Sequence, residues 1–149
     1  MMLNEKISEM VAVVGQISPS SQAAGSAVTG WVPMSNIDRI LAHVQVGTFG
    51  ASATVDANIQ QAQDSSGTGA KVIGTGKAIT QLLAAGGNNV QALIDVRAGE
   101  LDAANGFEYV QLTVTVGIAA TETAASLMGA CARYEPASAF NAASVVQIV

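Results

Sequence analysis

Charge is scarce in this sequence. Only 11% of its 149 residues are charged, where an average soluble domain carries about 25%. One histidine and one cysteine are present, too few for a zinc set or an intramolecular disulfide. Aromatic residues reach only 4%, which leaves little material for a sugar-stacking platform. The six cations (Lys6, Arg39, Lys71, Lys77, Arg97, Arg133) lie scattered and the net charge is −5. A nucleic-acid binder needs a basic stripe, so DNA and RNA are excluded as partners. No hydrophobic run has the length and continuity of a membrane helix. The most apolar stretch, residues 110–131, is broken by Gln111, several threonines and Glu122, and alternates at period two. The N-terminus has no cationic region ahead of its short apolar run, so it makes a poor secretory signal.

Catalytic signatures are missing as well. Lys71-Val-Ile-Gly-Thr-Gly-Lys77-Ala78 superficially resembles a phosphate loop, but Lys71 stands where the first glycine belongs and Ala78 replaces the magnesium-binding hydroxyl. Gly74-Thr-Gly76 lacks the third glycine of a dinucleotide fingerprint. His43 has no nucleophile-elbow sequence to serve, and its alternating position reads as a surface or interface histidine. Asp95, Glu100 and Asp102 flank an expected loop and read as a solvated turn rather than a hydrolytic pair. Cys131, in an apolar stretch, reads as a small buried hydrophobe. The expectation is a chain without catalytic residues, cofactor or metal.

What the sequence does have is apolar residues, 50% of the total. A monomer of this length exposes about 7,000 Å² and buries roughly 68% of its unfolded surface, enough for one core without staples. At the N-terminus Leu3, Ile7, Met10, Val11 and Val14 form one stripe at the helical period, with Gly15 as a stop. A competing reading starts a strand within residues 10–14, because valine favours strands. Pro19, its neighbouring serines and Gly25 suggest a loop. From there the pattern is β: residues 26–34, 38–46 and 53–60, then a turn at 64–69. A strand region follows at 70–83, with a helix over 78–85 as an alternative. Residues 90–96, 108–116 and 124–134 complete about eight strands, with Asn105-Gly106 a strong turn signal. The tail ends Val145-Val-Gln-Ile-Val149, suited to adding a strand to a sheet edge of its own or of a neighbour.

The expected fold is all-β: an antiparallel β-sandwich, jelly-roll-like, with a short N-terminal helix or arm and an extended C-terminal tail. Residues 1–15 form the N-terminal arm, 16–136 the sandwich domain and 137–149 the C-terminal arm. Candidate interface residues are Leu3, Ile7, Met10, Val11 and Val14 on the first arm, and Val145, Val146 and Ile148 on the second. Trp31, Phe49, Phe107 and Phe140 are candidate anchors.

Several phrases bear a resemblance to small structural virion proteins of tailed bacteriophages. They are Gly30-Trp-Val-Pro-Met34, Ile40-Leu-Ala-His-Val-Gln-Val-Gly-Thr48 and Ala53-Thr-Val-Asp-Ala-Asn-Ile-Gln-Gln-Ala62, with Gly106-Phe-Glu-Tyr-Val-Gln-Leu-Thr-Val-Thr-Val116 and Ala132-Arg-Tyr134. The similarity spans about residues 25–136 and includes no catalytic or ligand motif. It implies a decoration or cement protein of the phage head, made in the bacterial host cytoplasm. Its expected partners are the major capsid protein and copies of itself, as a dimer or trimer. A tail or head–tail connector subunit and a host-surface glycan-binding module are the alternatives.

Overall fold

The computed structural model describes residues 4–149. Leu3 lies outside the described residues. A four-residue helix, α1 (Ile7–Met10), leads directly into ten strands: β1 (Val11–Gln22), β2 (Gly25–Val28), β3 (Val32–Pro33), β4 (Ile37–Val46), β5 (Thr54–Ala62), β6 (Lys71–Ala78), β7 (Leu82–Leu83), β8 (Val90–Arg97), β9 (Tyr109–Gly117) and β10 (Thr121–Ala132). No helix among the described residues is long and apolar enough to cross a membrane.

The pairing is that of one long hairpin rolled up. β1 pairs antiparallel with β10, β2 and β3 with β9, β4 with β8, and β5 with β6 and β7. Rolling adds β10 to β4 and β9 to β5. The result is a 4-stranded sheet ordered β1-β10-β4-β8, and a 6-stranded sheet ordered β2-β9-β5-β6 with β3 on β9 and β7 on β5. This nesting is the jelly-roll form of the β-sandwich. The alternation explains the core. Ile40, Ala42, Val44 and Val46 of β4 meet Val55, Ala57 and Ile59 of β5 and Val110, Leu112, Val114 and Val116 of β9, all buried. From Arg39 on, odd-numbered positions of β4, and those of β8, point outward instead.

Three expectations need correction. The N-terminal stripe is not one helix: it stops at Met10, and Val11 opens a strand of 12 residues. A helix this short has no stability of its own, while β-branched Val11 and Val13 gain partners on β10, in a ladder that runs from Val11 opposite Ala130 to Gln22 opposite Thr121. The loop expected around Pro19 is also strand. β1 is a sheet edge with register shifts at Val13/Gly15 and Ile17/Ser20, and a proline fits beside the second of these because no ladder bond is lost there. Residues 78–85 form no α-helix; β7 is followed by one 3-10 turn, Ala84–Gly86.

Candidate interaction surface

The two terminal segments meet at the β1 edge. The 3-10 turn Ala137–Phe140 contacts both α1 and β1. Ala137 is fully buried, and Phe140 lines a small hollow between the sheets with Val14, Trp31, Val32, Pro33 and Ile37. Just beyond, the chain is clipped to the strand from both sides. The Val13 amide donates to Asn141 Oδ1 at 2.8 Å, and the Ala142 amide donates to the Val13 carbonyl at 2.7 Å. A side-chain amide thus imitates one backbone partner, extending the sheet by a single bridge. After a turn closed by Val145 N–H to Ala142 C=O at 3.0 Å the tail forms no strand. Val146 is 91% exposed and Val149 100%, while Ile7 on α1 is 78% exposed.

The other expected interface residues fall into three groups by burial. Met10, Val11, Val14 and Val145 are half-buried, and Ile148 is exposed. Phe49 and Phe107 are buried in the chain's own fold, so they are not exposed anchors. Their alternation with polar neighbours fits core and interface alike, and loop closure over the sandwich ends decides for core. Trp31 is half-buried against the 64–69 turn, where a methyl group on Gly67 would lie 2.6 Å from its Nε1.

Cys131 is exposed rather than buried: a φ of 55 takes it out of the strand alternation at the end of β10. His43 lies on the outer face of β4, hydrogen-bonded to Gln91. That outer face holds residues the sequence did not flag, namely Leu41, Met128 and Ala130. Val11, Leu41, Met128 and Ala130 floor a hollow of about 460 Å³, rimmed by Arg39, Arg97 and Asp95. The available signal was Leu41, an apolar residue on the solvent side of an alternating strand.

The acidic loop is latched rather than freely solvated. Lys71 Nζ lies 2.6 Å from Asp102 and 3.9 Å from the centre of the Phe107 ring. Lys77 Nζ lies 2.8 Å from Glu100. The buried Gln61 side chain joins the two segments that the first latch ties, donating to the C=O of Val72, next to Lys71, at 3.0 Å and accepting from the Asp102 amide at 2.8 Å. The Lys71 ammonium, then Asn105, holds the Asp102 carboxyl below its ordinary range. Lys77, then the Arg97 amide, does the same for Glu100. Asp64 is lowered by the Thr68 hydroxyl and by turn amides. Each carboxylate therefore serves a turn or a β6 latch. No group of three potential metal ligands occurs among the described residues.

No family model matches the chain, and no curated protein sequence matches it. Among solved structures, the SPBc2 prophage-derived protein YomS aligns at 12% identity over 77% of this chain and 93% of that one, with a TM-score of 0.41. Triatoma Virus aligns at 9% identity over 87% of this chain and 68% of that one, TM-score 0.46. The xylan-binding module CBM15 aligns at 14% identity over 84% and 92%, TM-score 0.42. Likenesses this loose, with virus and glycan-binding proteins side by side, do not choose a function.

Proposed function

We propose that this chain is a non-enzymatic structural protein of a tailed-phage virion, a decoration or cement subunit that stabilises the head by binding across neighbouring major capsid protein subunits. The observation that carries the reading is the meeting of both terminal segments at one sheet edge, with Ile7, Val146, Ile148 and Val149 left in solvent. An isolated monomer gains nothing from such side chains. Docked on a shell, each square ångström of apolar surface they bury is worth about 25 cal/mol. The resemblance of its strand text to small phage virion proteins suggested the same reading, although no family model and no curated sequence matches the chain. The jelly roll is compatible with it but hosts capsid, lectin and cupin functions alike, so the fold adds no weight.

The test is a truncation placed where the fold allows it. Ala137, Phe140, Asn141 and Ala142 belong to the folded body, so the deletion must begin after Ala142. A chain of residues 1–142 should melt like the full chain and bind purified heads far more weakly. Equal binding by the truncated chain would remove the C-terminal tail, and with it the observation this reading rests on. Mass spectrometry of purified particles provides the second check, with a copy number scaling with shell subunits rather than with a ring at the neck.

A further inference from the structure

A sandwich of two open sheets has four edges, and unpaired edges invite other chains, so natural proteins blunt them. Three of the four are blunted here. β1 carries Pro19 and two register shifts, and the Asn141–Ala142 clip covers its start at Val13. β2 has only four residues, and Gly30 at φ 81 separates it from the two-residue β3. β6 loops out around Gly74 (φ 56) and Gly76 (φ 116), between Val72 and Lys77 in its pairing with β5. β8 has none of these devices. Its eight residues, Val-Gln-Ala-Leu-Ile-Asp-Val-Arg, include no proline, glycine or lysine and pair with β4 without a shift. Its other side has no ladder partner among the described residues, and Leu93 on it is 60% exposed.

We propose that β8 is a self-association edge: two copies pair antiparallel through β8 about a two-fold axis, joining their 4-stranded sheets into one. Matching an unblunted edge with an unblunted edge requires β8 on both sides, which makes the contact isologous and closed. The residues select the register. Opposed residues of an antiparallel pair share a face, so outward Gln91, Leu93 and Asp95 must oppose one another. Two registers overlap the strand almost fully. Centring on Ile94 sets the Asp95 carboxylate beside Leu93 of the other copy. Centring on Leu93 sets Leu93 against Leu93, Gln91 against Asp95, and, on the core face, Ala92 against Ile94 and Val90 against Val96. Only the second pairs apolar with apolar and donor with acceptor throughout.

Sedimentation equilibrium and site-directed cross-linking test this together. The wild-type chain should be a dimer. Leu93→Lys should raise the dissociation constant at least about tenfold with an unchanged melting curve, since the side chain is exposed. In a Cys131→Ser background, Leu93→Cys should form an intermolecular disulfide on mild oxidation. Directly opposed antiparallel residues have Cα atoms about 4.5–5.5 Å apart, inside the range a disulfide spans. Val72→Cys, equally exposed on the blunted β6 edge, is the control and should not cross-link. A wild-type monomer at all concentrations, open-ended growth of larger species, or equal cross-linking at positions 72 and 93 would each overturn the proposal.

Discussion

Asp102 does more than its place in a loop suggests. It accepts from Lys71 and Asn105 through its carboxylate and donates its amide to buried Gln61, so one residue ties the loop after β8 to β6. Its folded pKa is depressed, chiefly by Lys71. A depressed carboxyl contributes stability that is present above its unfolded pKa and is lost as pH falls through the folded one. Asp102→Asn should therefore lower Tm at neutral pH, and the gap to wild type should close in acid below the ordinary carboxylate range. Melting curves across pH measure this directly. Gly67 makes a second residue-scale case. Its φ is +83 and a Cβ would strike Trp31 Nε1, so Gly67→Ala should cost about 1–2 kcal/mol from backbone conformation alone. Intrinsic fluorescence of the sole tryptophan should change with it, because the ring has to move.

Among the elements, β9 is the centre and the tail clip is the margin. Leu112 is fully buried on β9, between β5 and β2/β3 in its sheet, so Leu112→Ala should cost about 2–5 kcal/mol in chemical denaturation. Asn141→Ala removes one hydrogen bond at an edge and should cost only about 0.5–1.5 kcal/mol. Its sharper readout is hydrogen exchange: the Val13 amide should lose protection while the β9 amides keep theirs. The strands that sequence reveals best are those with strict alternation, such as β4, β5 and β9, whose inward residues coincide with the expected faces. β1 was only partly legible, as the competing strand reading of residues 10–14, for a physical reason: Ile7, Met10, Val11 and Val14 satisfy a helical stripe locally, and the partner that overrides it, β10, begins at Thr121, far along the chain. The apolar ends were legible as composition, but their meeting at one edge was not, because Asn141 bonding Val13 is a tertiary fact. The open β8 edge is likewise a property of topology. Nothing within Val90–Arg97 says which strand will be left without a neighbour.

At the scale of the whole molecule, more surface is exposed than a compact monomer needs to expose. The chain exposes 8113 Å², where a compact monomer of its size exposes about 7,000 Å². The two proposed contacts sit at opposite ends of one sheet, since its order runs from β1, with the terminal segments, to β8. This has a mechanical consequence. A dimer joined through β8 sets eight strands in a row, so the two β1 edges lie seven gaps of about 4.8 Å apart, roughly 34 Å. Each dimer then presents two shell-binding edges at a fixed separation on a rigid sheet, which is how a cement would bridge neighbouring subunits rather than coat one. Two linked sites raise apparent affinity by about 10²–10⁴ without new contacts, provided both can be engaged at once. The Leu93→Lys chain, with its terminal segments intact, should therefore still bind heads, with apparent affinity lower by a factor in that range. The 1–142 chain should stay dimeric and lose head binding at both edges. Titration of purified heads with each variant, scored by co-sedimentation, separates the two contacts. If Leu93→Lys bound heads as tightly as wild type while running as a monomer, the dimer would be real and irrelevant to bridging, and the terminal segments alone would hold the shell.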